Sequence, residues 1–142
     1  MTYLRVGLRL LLAALFLFAG AVHLVDPQLF LPVMPPAIPF PMACILVSGI
    51  FELLGGAGLL VPRRDVLWAT GWMLVLLLLA IFPANIYMAV AQVKVHGFPA
   101  HAWEAWARLP LQAILIVAVL WVTPAWQGIC NMGGRKDRNS TM

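Results

Sequence analysis

The chain has 142 residues, of which 63% are hydrophobic and only 10% are charged. Soluble domains carry about 25% charged residues, so this composition excludes a soluble globular monomer. A surface that faces lipid needs few charges, because the bilayer core favours apolar side chains and disfavours ionised ones. At about 20 apolar residues per transmembrane helix, the chain has room for four spans with short connections.

Four apolar runs therefore predict an all-α polytopic membrane protein, a four-helix transmembrane bundle in residues 1–126 with a short basic tail in residues 127–142. The first run also resembles a signal peptide, since basic residues precede it and small residues lie at Ala19 and Gly20. Because three apolar runs follow, we expect it to be retained as a signal anchor. The predicted helices cover residues 4–24, 41–61, 66–93 and 103–123.

The basic residues indicate the orientation of the bundle. Arg5 and Arg9 begin the first run, Arg63 and Arg64 separate the second from the third, and further basic residues lie at positions 135, 136 and 138. Basic residues concentrate in cytoplasmic segments, so both termini are predicted to be cytoplasmic. The net charge of +4 comes largely from these segments, and we do not expect a nucleic-acid partner.

Six prolines lie between Pro27 and Pro41, in the first predicted external connection. Proline removes a backbone donor, so this apolar segment cannot form a continuous helix. One interpretation is a connector that lies on the membrane surface, and the other is a lid over the outer mouth of the bundle. Prolines alone indicate rigidity and not a ligand, which favours the connector.

A few polar residues interrupt the predicted spans. Buried polarity is costly in lipid, so these residues are the strongest candidates for function. Helical spacing places Ser48 with Glu52 on one face and Arg108 with Gln112 on another. If these faces pointed toward lipid, Glu52 and Arg108 would each cost about 3 kcal/mol. We therefore expect all of these faces to point toward the interior of the bundle. The candidate ligand-binding residues are His23, Ser48, Glu52, Asn85, Arg108 and Gln112.

Glu52 and Arg108 are predicted to be ion-pair partners, because they are the charged residues of opposite sign within the spans. The polar cluster has two interpretations. It fastens the helices through interhelical hydrogen bonds, or it forms a site for a ligand or a proton. The combination of a carboxylate, a guanidinium, two amides and an imidazole favours a site.

Small residues and prolines surround this cluster. Glycines at positions 49, 55, 56 and 58 allow close helix packing, although they would also leave room beside Glu52 for a flat molecule. Pro83 and Pro110 would free backbone carbonyls beside the polar residues.

Metal and thiol chemistry receive little support. Cys44 and Cys130 are predicted at opposite ends of the bundle and form no C-x-x-C pair, so dithiol chemistry is not expected. No pair of axial ligands for haem is apparent. His96, His101 and Glu104 form a loose external cluster, but loop histidines are usually solvated, and we predict no metal site.

Taken in order, the polar motifs resemble the DoxX-like family of small four-helix membrane proteins over about residues 5–123. The segments that carry the resemblance are Ala19-Gly20 with His23 and Pro27, Ser48-Gly49-x-x-Glu52-x-x-Gly55-Gly56, Phe82-Pro83-Ala84-Asn85-Ile86-Tyr87-Met88 and Arg108-Leu109-Pro110-x-Gln112. The resemblance implies a bacterial inner membrane. It also implies a relation to proteins associated with thiosulfate:quinone oxidoreduction, to MauE-type proteins and to resistance against quinones and oxidative stress.

These observations predict a non-enzymatic or accessory membrane protein that binds a small lipophilic ligand such as a quinone. Glu52 and Arg108 would anchor the ligand, Asn85 and Gln112 would orient it, and His23 would gate the site or shuttle protons. Expected partners are the bilayer, a membrane redox complex and a second copy of the chain.

Three alternatives remain. The protein could be a structural or assembly partner in which the polar cluster only fastens helices, or a membrane oxidoreductase subunit. An oxidoreductase subunit needs an electron carrier, and the sequence contains no recognisable site for one. A transporter would need to oligomerise, because one four-helix chain without an evident repeat provides too few helices.

Overall fold

The computed structural model describes residues 2–93 and 101–125, and these residues contain helices and no strand. The long helices are α1 (Thr2–Val25), α2 (Pro41–Leu60), α3 (Arg64–Ala91) and α4 (Ala102–Val122). A short 3₁₀ helix, Pro27–Val33, connects α1 to α2. All four long helices are long and apolar enough to cross a membrane. The predicted all-α bundle of four spans is confirmed, whereas the predicted basic tail lies outside the described residues.

Each helix begins and ends close to where the sequence predicts, with no boundary more than two residues away. Proline favours the first turn of a helix, since its missing N–H has no partner there, and Pro41 begins α2 in this way. α2 ends before Pro62, and α3 begins at the basic turn that follows. Pro83 and Pro110 lie inside α3 and α4, which continue through them.

Consecutive helices pack antiparallel. Ala13 and Leu17 of α1 lie against Gly56 of α2, whereas Gly20, further along α1, lies against Gly49, nearer the start of α2. The same reversal relates α2 to α3 and α3 to α4. We call the end with the turn at Arg63 and Arg64 the basic end, and the end with the 3₁₀ helix the capped end.

Glycines set the close approach of α1 and α2, which share the most extensive interface in the bundle. A Cβ atom on Gly20 would lie 2.7 Å from the carbonyl oxygen of Gly49 and 2.9 Å from the backbone nitrogen of Leu53. A Cβ on Gly49 would lie 2.7 Å from Cβ of His23. No side chain fits between the two backbones, so these glycines serve helix packing.

The half of the bundle toward the basic end is packed with apolar side chains, and this core includes residues from all four helices. Arg5 of α1 also lies over the ring of Trp121 of α4, with its guanidinium carbon 5.4 Å from the ring centroid. The other half, toward the capped end, contains the six candidate polar residues and a large cavity. The buried core residues are Leu12, Ala13, Phe16, Leu59, Leu67, Leu74, Val75, Leu78 and Val119.

Candidate functional site

A cavity of about 930 Å³ lies between α2 and α3, beneath the 3₁₀ helix. Its volume is near the upper end of the range of roughly 300–1,000 Å³ that is usual for small-molecule sites. Most of its wall is apolar, and a few polar side chains interrupt it. An apolar cavity with few polar groups is the usual form of a site for a small organic ligand.

The proline-rich segment covers this cavity. Phe30 and Val33 of the 3₁₀ helix, together with Met34 and Ile38 after it, contribute to the cavity wall. Phe30 also stacks on the ring of His23, with the ring centroids 4.0 Å apart and the planes 30° apart. The segment therefore has the position of a lid, whereas its sequence favoured a surface connector.

Four of the six candidate residues line the cavity: His23, Ser48, Asn85 and Arg108. They come from four different helices, in the order α1, α2, α3 and α4. The other two, Glu52 and Gln112, are buried and do not line it. Each of these two side chains instead forms a hydrogen bond with a residue of the cavity wall.

Glu52 pairs with His23, and the predicted ion pair between Glu52 and Arg108 is wrong. The Nδ1 atom of His23 lies 2.8 Å from Oε2 of Glu52. α2 and α4, which carry Glu52 and Arg108, are diagonal across the bundle, and no Cα atom of one lies within 8 Å of a Cα atom of the other in the described part of the chain. Their separation leaves the carboxylate to the helix that packs closest to α2, which is α1.

The approach of His23 to Glu52 follows from helix geometry. Side chains lean toward the N-terminus of their own helix, so residues on antiparallel helices lean toward one another. His23 lies beside Gly49, about one turn from Glu52, and the two side chains cover this separation. The glycine contact between α1 and α2 thus places the imidazole within reach of the carboxylate.

The hydrogen bonds of His23 leave one ring nitrogen available. Nδ1 also lies 3.0 Å from the carbonyl oxygen of Ala19, which can only accept, so Nδ1 carries a hydrogen and donates it to Ala19 and Glu52. The hydrogen bond at one ring nitrogen sets the role of the other. Nε2 has no hydrogen-bond partner in residues 2–93 and 101–125, and His23 lines the cavity. A ligand can therefore use Nε2.

We expect the His23–Glu52 contact to stabilise the fold. Glu52→Ala and His23→Ala should each lower the free energy of unfolding by about 1–3 kcal/mol, because the first removes one of the two acceptors of a partly buried imidazole and the second leaves a buried carboxylate without its partner. The double variant should lose less than the sum of the two, with a coupling energy of about 0.5–3 kcal/mol. Reversible unfolding of all four proteins in detergent measures this coupling. Additive losses would contradict the contact.

A second pair joins α3 to α4. Nδ2 of Asn85 donates to Oε1 of Gln112 at 2.8 Å, and Nε2 of Gln112 donates to the carbonyl oxygen of Leu78. Pro83 lies between Leu78 and Asn85 on α3 and has no N–H for the carbonyl four residues before it. Gln112 thus holds the amide of Asn85 in place at the cavity wall. Its other bond goes to the carbonyl of Leu78, one residue before Leu79, whose carbonyl Pro83 leaves without a helical donor.

Arg108 and Ser48 are the remaining polar groups of the wall. Arg108 forms no hydrogen bond or ion pair with any other described residue, and its side chain is exposed. The hydroxyl of Ser48 donates to the carbonyl of Ile45 at 2.8 Å, so its oxygen remains able to accept. The wall therefore offers a positively charged donor, an acceptor and a histidine nitrogen to a ligand.

The sequence pattern does not single out the apolar residues of the wall. Met73, Leu77, Ala84 and Met88 of α3 line the cavity at spacings of four, seven and four residues, which place them on one side of the helix. The same spacing is typical of residues that face lipid or another helix, so it does not single them out. The lid interpretation of the proline-rich segment is the prediction that includes the contribution of the 3₁₀ helix to the wall.

Other candidate groups lie apart from this cavity or at its edge. His101 and Glu104 form an exposed contact with 3.2 Å between Nδ1 and Oε1, and His96 lies outside the described residues. Among the described residues, no group of three or more metal-binding side chains is found. Cys44 lines the cavity, and its thiol lies 3.7 Å from the carbonyl of Pro39. Cys130 also lies outside the described residues.

Comparison with known proteins identifies a family. No curated protein and no solved structure matches the chain significantly. A family whose description is "Domain of unknown function" matches residues 12–123, which include all six candidate residues from His23 to Gln112. The resemblance to the DoxX-like family stays a prediction. Because the match covers most of the sequence, the chain belongs to the family DUF8561.

Proposed function

We propose that this multi-pass membrane protein binds a small, flat, lipophilic molecule such as a quinone in the cavity beneath the 3₁₀ helix. The observation that carries the proposal is the cavity wall, which is apolar except for side chains from four helices that can form hydrogen bonds. A quinone has the matching chemistry, since its ring is apolar and its two carbonyl oxygens accept hydrogen bonds.

The polar groups have complementary roles in this proposal. Arg108 and Asn85 donate to the ligand oxygens, and Nε2 of His23 accepts from a reduced, hydroxyl form of the ligand. Glu52 acts through His23, and Gln112 acts through Asn85. These are positioning roles, unlike the direct anchoring and orientation that the sequence predicts for Glu52 and Gln112.

The cellular setting is part of the same proposal. We place the protein in the inner membrane of a bacterium with both termini in the cytoplasm, which the basic residues at one end of the bundle support. The resemblance to DoxX-like proteins supports an accessory role in membrane redox or stress-response processes. A membrane redox complex and a second copy of the chain are the partners that we propose.

Binding of 2-methyl-1,4-naphthoquinone to the full chain in lipid nanodiscs tests the function. We expect saturable binding that raises the unfolding temperature, because a ligand that binds only the folded state stabilises it. Glu52→Gln should weaken binding of this quinone in the otherwise unchanged chain. It should have no further effect in a chain that carries His23→Phe, since Glu52 acts through His23. The proposal fails if this quinone does not bind, or if Glu52→Gln and Arg108→Ala variants that still insert bind it as tightly as the parent.

The second candidate function is a structural or assembly role. The observation that favours it is the two buried pairs, which join α1 to α2 and α3 to α4 through hydrogen bonds between helices. In this case, substitutions at Glu52 and Gln112 would lower stability equally with and without the quinone. A ligand-dependent difference between these variants and the parent favours the binding function.

A further inference from the structure

The cavity has a polar part and an apolar part. On α3, Asn85 and Met88 mark the part near the capped end, whereas Met73 marks the opposite end of the wall. The wall between Met88 and Met73 runs for about 22 Å, at 1.5 Å per residue. All polar side chains of the wall lie in the first part, and the second is formed by Phe51, Met73, Leu76 and Leu77.

The volume exceeds what a ring alone requires. A cavity of about 150 Å³ holds one benzene molecule, and the present cavity measures about 930 Å³. A single planar ring that meets Arg108 and Asn85 would leave most of this space to something else. The rest of the wall offers no hydrogen-bonding side chain, so a matching occupant continues as an apolar chain.

The apolar part also opens toward the lipid-facing surface. Phe51 of α2 and Leu76 of α3 both line the cavity, yet 41% and 62% of their surfaces are exposed. Both lie within spans long and apolar enough to cross a membrane, where exposed surface faces hydrocarbon. The gap between α2 and α3 therefore connects the cavity with the bilayer, and an apolar chain reaches it without crossing water.

We propose that the ligand is a head-and-tail molecule with a single hydrocarbon tail, which enters from the bilayer between α2 and α3. Its planar head lies near Arg108 and Asn85, and its tail lies beside Phe51 and Met73. This inference rests on the proposed function, because it takes the head to be quinone-like. It adds the class of ligand, a quinone with a tail, and the route of access.

Photo-crosslinking tests the position of the tail. The probe is a 1,4-naphthoquinone whose tail, two isoprene units long, ends in a diazirine, and it is bound to the full chain in lipid nanodiscs. Excess 2-methyl-1,4-naphthoquinone, which has no tail, competes for the head site. We expect the label on peptides that contain Phe51 and residues 73–77, with at least a fivefold loss of labelling under competition.

Failure of the inference and failure of the proposed function give different results. If the competing quinone reduces the labelling, but the label lies on the 3₁₀ helix or on α4, the inference about the tail is overturned and quinone binding still stands. Labelling that competition does not reduce contradicts the proposed function itself.

A pair of matched variants adds a second measurement. Ala80 lies on the wall at the junction of the two parts, and Ala80→Phe should narrow the path of the tail. We expect labelling at residues 73–77 to fall at least fivefold in this variant. Ala69 is exposed on the same helix and does not line the cavity, so Ala69→Phe should label like the parent. Equal labelling of both variants overturns the inference. If Ala80→Phe does not fold, the wild-type labelling pattern decides it.

Discussion

Gly20→Leu should destabilise the bundle, unlike the same substitution at Gly7, the other glycine of α1. Even a Cβ atom at this position would lie 2.7 Å from the backbone oxygen of Gly49, and a backbone cannot move aside as a flexible side chain can. Overpacking of this kind costs about 3 kcal/mol, and separation of α1 from α2 would also pull His23 away from Glu52. Unfolding of the purified protein in detergent measures the loss.

Gly7→Leu is the matched control for this experiment. Gly7 lies on the same helix, but no atom is within 4 Å of the position that its Cβ would occupy. The same chemical change should therefore leave stability close to that of the parent, with at most the gain of about 1 kcal/mol in helix propensity. Equal effects of the two substitutions would show that α1 and α2 do not pack through Gly20.

Arg108→Ala should weaken quinone binding by about 10- to 100-fold. Arg108 lines the cavity and has no hydrogen-bond partner among the residues the structure describes, so its guanidinium is free to donate to a ligand oxygen. A hydrogen bond to a charged group contributes about 1.5–3 kcal/mol, which corresponds to this range of affinity. Arg108→Lys should recover part of the loss, because it keeps the charge without the planar donor group. Titration of 2-methyl-1,4-naphthoquinone into nanodiscs measures all three affinities.

The control for Arg108→Ala removes a cation at the other end of the bundle. Arg63 lies at the basic end and contacts Asp65, with 3.1 Å between Nη2 and Oδ2. Arg63→Ala lowers the net charge by the same amount without touching the cavity, so its affinity for the quinone should equal that of the parent. If both variants bind less tightly to the same extent, the effect of Arg108 is one of overall charge and not of contact.

The spans could be predicted from the sequence because lipid imposes a simple rule on them. A backbone in hydrocarbon must form its own hydrogen bonds, so each apolar run of sufficient length forms a helix. Pro41 and Pro62 then locate the ends of α2, and the charges at Arg63 and Arg64 locate the turn. The same rule predicts that the polar residues point inward, and the burial of Glu52 and Gln112 agrees with it, whereas Arg108 lines the cavity with an exposed side chain.

The partners of these residues could not be predicted in the same way. Spacing along one helix shows which residues share a face, but not which neighbouring helix that face meets. Glu52 pairs with His23 because Gly20 and Gly49 bring α1 against α2, and Arg108 belongs to the helix that is diagonal to α2. Opposite charge suggested the wrong partner, and the glycine contact provided the right one.

The cavity itself could not be predicted from the sequence either. Its wall consists largely of methionine, isoleucine, leucine, valine, alanine and phenylalanine, the same kinds of residue that elsewhere face lipid or fill the core. What separates the two halves of the bundle is packing. Large side chains such as Leu59 and Leu74 fill the half toward the basic end, and the other half stays open beneath the 3₁₀ helix.

A crystal structure of the protein with a tailed naphthoquinone, from crystals grown in a lipidic mesophase that contains this quinone, tests the central claim most directly. The claim is that the space between α2 and α3 is a ligand site whose polar end is formed by His23, Ser48, Asn85 and Arg108. We expect density for the ring within hydrogen-bond distance of Arg108 or Asn85, and density for the tail beside Phe51. A cavity closed by repacked side chains, with the quinone elsewhere, would contradict the claim.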